Sequence, residues 1–288
     1  IRWIENKMNQ KMNKILKTED KDYVIASDTD SIYLHMGDLV EAVYKGREAT
    51  TEGIVSFLNK VCEMELEPYI ESSYQELAEY VNAYDQKMIM KRENIADRGI
   101  WTAKKRYILN VWDSEGVRYE QAKLKIMGIE AIKTSTPAPC RTMLKDAFKL
   151  LMTGTEDEVI DYIEKCRSEF KNFPPEEVGF PRSVNNLQKY KGVSDIYNKG
   201  TPINVRGALL FNHYIKKNNL EHKYSAIQNG EKIRFCYLKT PNWMHENVIS
   251  YIQDLPKELD LHKHVDYDLQ FEKAFLEPIK VILNCIGW

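Results

Sequence analysis

The stretch Tyr23-Val24-Ile25-Ala26-Ser27-Asp28-Thr29-Asp30-Ser31-Ile32-Tyr33-Leu34 reads as strand, tight turn, strand. Apolar runs rich in β-branched and aromatic residues flank an acidic tip. One carboxylate at a turn commonly does no more than accept hydrogen bonds from nearby backbone amides. Two of them, Asp28 and Asp30, concentrate like charge where repulsion is costly unless a cation sits nearby. Asp-x-Asp thus points either to a hard divalent ion, with magnesium the natural candidate, or to an ordinary acidic turn.

Working outward, Ile1, Ile4, Met8, Met12 and Ile15 recur at helical spacing ahead of this hairpin. The chain has no start methionine and no secretory pattern, and begins as if inside a helix, so a piece of a larger protein is expected. Behind the hairpin, helix is expected from about Leu39 to Tyr84 with a break at Pro68. Met88 to Ile95 reads as a strand, Asp97-Arg98-Gly99 as a turn, and Trp101 to Val111 as a strand centred on Lys104-Lys105-Arg106-Tyr107. Alternation along it would send Lys105 to one face and Lys104 and Arg106 to the other. A turn at Asp113-Ser114-Glu115-Gly116 would return the chain through Val117-Arg118-Tyr119. Helices on a small antiparallel sheet follow from this order.

From Lys123 the character shifts. Lys123 to Gly128 reads as a short basic strand or crossover, and Thr136-Pro137 as a helix cap followed by a first-turn proline. Amphipathic helices are expected at about 137–152 and 156–171, then loops at Lys189-Tyr190-Lys191-Gly192 and Asn198-Lys199-Gly200-Thr201-Pro202. A helix from Val205 to Lys216, a strand from Ile233 to Leu238, and closing helices at Asn247–Ile252 and Tyr267–Leu283 complete the chain. The class is α+β, with a boundary near Met127: residues 1–126 form one domain and 127–288 a mainly helical second.

The 288 residues, 43% hydrophobic and 29% charged, describe a globular protein with a substantial core. No apolar run is long enough to span a membrane. Five scattered cysteines argue against a disulfide framework or zinc cluster and fit a reducing compartment. The six histidines show no ligand spacing beyond His262 and His264 and read as surface residues. A net charge of −2 conceals an asymmetry. Between Lys87 and Lys145, 13 basic residues face 6 acidic ones, and between Arg182 and Lys217, 7 face only Asp195. That is the layout of a protein with a polyanion-facing surface, or of a merely solvated basic face.

These pieces suit one chemistry. Nucleotidyl transfer needs metal ions held by carboxylates from more than one strand, and cations that follow a phosphodiester backbone. Asp28, Asp30 and Glu93 supply carboxylates, and Lys104, Lys105 and Arg106 supply positive charge. Taken in order, Ser27-Asp28-Thr29-Asp30-Ser31, Lys104-Lys105-Arg106-Tyr107 and Leu124-Lys125-Ile126-Met127-Gly128-Ile129-Glu130 resemble a family B DNA polymerase of T4-like bacteriophages. Gly200-Thr201-Pro202-Ile203-Asn204-Val205-Arg206-Gly207-Ala208 and Asn229-Gly230-Glu231-Lys232-Ile233 are similar to the thumb of that group.

The resemblance implies a C-terminal portion of such an enzyme: the latter part of the palm (1–126), a small antiparallel sheet with helices, followed by the thumb (127–288). Asp30 matches the metal-ligating palm aspartate and Asp28 its acidic neighbour, in a two-magnesium site. Glu93 matches an acid beside the metals, while Lys91 stands where relatives usually carry another acid. Lys105, Arg106 and Tyr107 match the motif that holds the primer end, with Lys104 beside them as a further DNA-binding cation. Thr29 and Ser31 would fix the turn. Lys125, Gly128 and Lys133 would approach phosphates at a crossover, and Asn186, Lys189, Tyr190, Lys191 and Arg206 would line the product duplex without reading bases. For Trp101 and Tyr190, ordinary packing and nucleic-acid contact both stay open.

No segment similar to Asp-x-x-x-Leu-Tyr-Pro-Ser, to the fingers motif Lys-x-x-x-Asn-Ser-x-Tyr-Gly, to the exonuclease or to the clamp-binding tail is found. The implied partners are therefore primer-template DNA, deoxynucleoside triphosphate and an N-terminal polymerase fragment carrying exonuclease, fingers and remaining palm. A sliding clamp is possible without its tail motif, a membrane is not a partner, and the implied location is the cytoplasm of an infected bacterium. Two rivals stand beside this reading: a non-catalytic duplex-binding thumb module, and an unrelated metal-dependent nucleotidyltransferase.

Overall fold

A computed structural model describes Ile1–Trp288. The protein is α+β, with small antiparallel sheets and many helices, as its sequence pattern implies. It divides into two units. The first holds Ile1–Gly99, Ala103–Lys105 and Leu109–Lys125, and the second holds Ile100–Thr102, Arg106–Ile108 and Ile126–Trp288.

In the first unit, α1 (Arg2–Leu16) buries Ile4, Met8 and Met12, every fourth residue, as its periodicity requires. They pack with Tyr23, Leu39, Ile70 and Tyr74 in one cluster. The hairpin of β1 (Val24–Asp28) and β2 (Ser31–Leu34) is antiparallel, with Asp28 opposite Ser31. Asn9 of α1 pins it: its Oδ1 accepts from the Tyr23 and Val24 amides at 2.8 and 2.9 Å. The acidic turn is thereby hung from a helix whose central apolar residues, Ile4, Met8 and Met12, are fully buried.

Helices α2 (Gly37–Tyr44), α3 (Thr51–Val61) and α4 (Glu67–Tyr80) follow. Pro68 does not break the helical run. The turn before it, Cys62–Leu66, widens to π geometry, with the Glu67 amide donating to the Cys62 carbonyl. A proline lacks the amide and crowds the preceding turn, and the wider turn accommodates both defects. The real interruption is at 45–50, where Lys45 leaves helical geometry and Thr50 caps α3 by accepting from the Gly53 amide.

The sheet has the order β3 (Asn94–Ala103), β4 (Arg106–Ser114), β5 (Val117–Met127). Three expectations are corrected here. Met88 to Glu93 is not in a strand, which begins only at Asn94. Asp97-Arg98-Gly99 lies within β3 and does not turn. Lys104 and Lys105 form the turn between β3 and β4, with Lys105 at φ 61, and are not the middle of a strand. Lysine carries no turn signature, so a run of basic residues between apolar segments reads as continuous strand. The second hairpin turn is as expected: Glu115 and Gly116 both take positive φ, the type I′ pattern that suits strand twist. β5 runs unbroken from Val117, so the separate strand anticipated at Lys123 is its second half.

In the second unit, α5 (Ala138–Thr153) and α6 (Glu156–Phe170) form the expected pair, and Thr155 with Glu158 makes a reciprocal capping box. Thr136 is buried and does not cap α5; Pro137 holds that position, with Pro139 in the first turn. After α7 (Pro175–Val178) come β6 (Phe180–Ser183), α8 (Leu187–Tyr190), α9 (Ile203–Lys217), β7 (Lys232–Tyr237) and β8 (Val248–Tyr251). The three strands pair antiparallel in the order β6-β7-β8. The helix anticipated at Asn247–Ile252 is therefore a strand. All four residues of β8 are buried, Ser250 among them, and a four-residue strand buried on both faces has no alternation by which helix and strand differ. Strand β6 escapes notice because it is four residues long and contains Pro181.

Helix α9 lies close over β8. A Cβ on Gly207 would sit 2.8 Å from the Ser250 amide nitrogen, and Ser250 Oγ donates to the Asn204 carbonyl at 2.9 Å. The chain closes with α10 (Tyr267–Phe271), a π turn at Glu272–Leu276 and α11 (Glu277–Ile286), where Pro278 is accommodated as Pro68 is.

Candidate active site and nucleic-acid interface

The acidic turn of the first unit is a two-residue hairpin loop, Thr29 and Asp30, with a tighter turn inside it. The Asp30 amide donates to the Asp28 carbonyl at 2.7 Å, closing a three-residue turn around Thr29 at φ 55. A β-branched residue in that region is a genuine outlier, and it is held there by its neighbours. Thr29 Oγ1 donates to Asp28 Oδ1 at 3.1 Å, and Ser31 Oγ donates to the Asp28 carbonyl at 3.2 Å. Both hydroxyls thus serve the turn, and the two carboxylates face outward, Asp30 exposed and Asp28 partly so.

The second hairpin brings a cation to this turn. Lys105 Nζ lies 3.8 Å from Asp28 Oδ1, with the lysine side chain 65% exposed. The left-handed backbone at Lys105 turns β3 into β4 at that point. An ion pair this open contributes under about 1 kcal/mol.

Glu93 makes a different pairing. Lys125 Nζ of β5 donates to its carboxylate. That hydrogen bond holds Glu93 below the usual carboxylate range. Asp28, Asp30 and Glu93 do not form a cluster: no group of three or more Asp, Glu, His or Cys side chains is placed to hold a metal ion. The base of the same sheet is held by Asp113, which pairs with Arg92 and accepts from Arg118 Nε at 3.2 Å.

In the second unit, Arg106 grips Glu130 through two parallel hydrogen bonds of 3.2 and 2.8 Å, and Lys133 Nζ adds a third at 2.9 Å. Burial disfavours the charged form of Glu130, but the bonds from Arg106 and Lys133 outweigh it and hold its pKa below 4.5. Gly128 precedes this cluster at φ 66, a conformation open to glycine at no steric cost. The sequence assigns roles to Arg106, Gly128 and Lys133 but none to Glu130, the acid that joins Arg106 to Lys133. Its signal was the spacing Glu130 to Lys133. Tyr107 is buried, with its ring 6.3 Å from that of Trp101.

Further along the second unit, Asn186 adopts φ 60 before α8. Lys189 lies over the Tyr190 ring, 5.6 Å from its centre. Asn198 Nδ2 donates to the carbonyls of Lys189 and Lys191, and its amide donates to the Tyr190 carbonyl. Lys189 and Tyr190 thus lie in α8 and not in the loop expected there, and Asn198 ties the segment down. Arg206 of α9 lies 5.6 Å from the Tyr197 ring centre and donates to Asn247, while Tyr197 Oη donates to Glu246 at 2.8 Å. Tyr197, Asn198 and Glu246 were not anticipated as supports.

Together these features define a class: an α+β protein that sets two adjacent carboxylates on a strained hairpin turn beside a basic turn, and displays further cations on a second unit. No protein-family model matches the chain. Among curated proteins, it is 34% identical over 293 residues to a DNA-directed DNA polymerase of Escherichia phage RB69, covering 97% of this chain and 32% of that protein. It is 29% identical over 301 residues to a DNA-directed DNA polymerase of Enterobacteria phage T4, covering 100% of this chain and 33% of that one. The chain is thus similar, over its whole length, to the DNA polymerases of two T4-like phages and spans about a third of the length of the relatives it matches. No helix is long and apolar enough to cross a membrane.

Proposed function

We propose that this chain is the C-terminal portion of a template-directed DNA polymerase, the latter palm and the thumb, and works only with the polymerase polypeptide it does not span. The observation that carries the proposal is end-to-end similarity to a third of two phage polymerases. The acidic turn beside Lys105 supports it. In the reaction, the primer 3′-hydroxyl oxygen forms a bond to the α-phosphorus of an incoming deoxynucleoside triphosphate as the bond to pyrophosphate breaks.

Two hard carboxylate donors on an exposed turn suit magnesium. Asp30 and Asp28 would hold one side of its site, with the opposing aspartate supplied by the remaining polypeptide. Bound magnesium would supply the positive charge that activates the hydroxyl and neutralises the transferring phosphate. Lys104 and Lys105 hold the primer backbone near the turn. Glu93, already balanced by Lys125, tunes the local charge and is not a ligand. Arg106 and Lys133 present cations whose positions Glu130 sets, and Lys189, Tyr190, Lys191 and Arg206 follow the product duplex by its backbone, which serves a copying enzyme because sequence must not matter. The working location is the cytoplasm of an infected bacterium.

The test is complementation: this chain is mixed with a fragment bearing exonuclease, fingers and the first palm segment, and primer extension is measured. Extension by the mixture and by neither part alone is expected. Extension by this chain unaided would overturn the dependence.

One observation favours a second reading. Asp28 and Glu93 each already face a lysine, so a duplex-binding module without chemistry needs no metal there. It would bind duplex DNA equally well with or without magnesium and would be indifferent to Asp30.

A further inference from the structure

Five large apolar side chains stand in solvent within ten residues of the first unit. Tyr80 is 79% and Ile89 82% exposed, Tyr84 is fully exposed, and Val81 and Met88 are open as well. Such a run is unusual on a surface that faces only water. The segment is not a slack linker. The amides of Val81 and Ala83 donate to the carbonyls of Leu77 and Ala78, and the Gln86 side chain both donates to the Met88 carbonyl and accepts from its amide.

Its charge separates one kind of partner from another. Asp85 and Lys87 are the only charged residues in the run, and they lie 4.0 Å apart. A neutral apolar edge has nothing to offer a polyanion, so nucleic acid is a poor occupant. Its position indicates which polypeptide suits it. Trp3 stacks on Tyr80 with ring centres 5.9 Å apart and donates to the Ser73 carbonyl. Polypeptide joined ahead of Ile1 would emerge beside this edge.

We propose that the edge formed by Tyr80, Val81, Tyr84, Met88 and Ile89 is the docking surface for the part of the polymerase that this chain does not span. The inference rests on the polymerase reading and names the surface on which its two parts meet. Strand-like sequence at Met88-Ile89-Met90 without a strand in the structure is then explained: its ordering surface lies on the other part.

Hydrogen exchange in segment 80–89 tests this, measured on the whole chain alone at low and high concentration and with the complementary fragment of the RB69 phage relative. The same fragment's binding to the chain carrying Tyr84→Ser and Ile89→Ser is measured in parallel. Both positions are exposed, so the variant keeps its fold. The expected result is at least tenfold slower exchange in 80–89 with the fragment, and at least tenfold weaker binding by the variant. If the mixture extends primers but 80–89 stays unprotected, or the variant binds as tightly as the parent, the inference fails and the polymerase reading stands. If protection appears with chain concentration alone, the occupant is a second copy and the inference fails. If the fragment neither binds nor restores extension, both fall.

Discussion

Glu130 holds Arg106 and Lys133 in place, and its own ionisation makes that hold dependent on pH. Its pKa in the folded chain is depressed, so its contribution is complete above the unfolded value near 4.5 and is lost as pH falls through the lower folded value. Glu130→Gln should cost about 1–2 kcal/mol at neutral pH, and the gap from the parent should narrow steadily as urea melts are taken below pH 4.5. A gap independent of pH would remove the charge from the explanation. Thr29 poses the opposite case, a residue in a conformation that suits its type badly. Thr29→Gly should raise thermal stability by roughly 0.5–1 kcal/mol while slowing primer extension in the complemented mixture, because the Asp28 carboxylate loses its hydroxyl donor. A variant that is both more stable and equally fast would show that the strain has no use.

At the scale of elements, close approach between α9 and β8 sets the frame for Arg206. Gly207→Ala places a methyl group against the Ser250 backbone and should destabilise by about 1–3 kcal/mol, read from denaturant melts. Unchanged stability would mean that α9 can shift without loss. Elements with a period were legible in the sequence: α1 from its four-residue apolar spacing, α5 and α6 from theirs, β7 from its β-branched and aromatic run. Elements whose shape depends on partners were not. The π turns before Pro68 and Pro278 leave no mark in composition, and β8 is too short and too evenly buried to show a period. The same division holds for the site. Asp28 and Asp30 are neighbours in sequence and could be paired by eye. That Lys105 approaches Asp28, or that Glu130 joins Arg106 to Lys133, depends on turns whose geometry a lysine-rich stretch does not announce.

For the whole molecule, a net charge of −2 with basic segments gathered around two hairpins and one loop predicts binding to duplex DNA that weakens steeply with salt. Lys104→Ala with Lys105→Ala should reduce the slope of log affinity against log salt by about 2, with no change in preference among sequences. An unchanged slope would place the DNA elsewhere. The central claim concerns chemistry, and it is tested most directly by single-turnover primer extension in the complemented mixture, comparing this chain with its Asp30→Ala variant at saturating magnesium. The account predicts a loss on the order of a hundredfold or more with DNA affinity retained; equal rates for the two chains would contradict it.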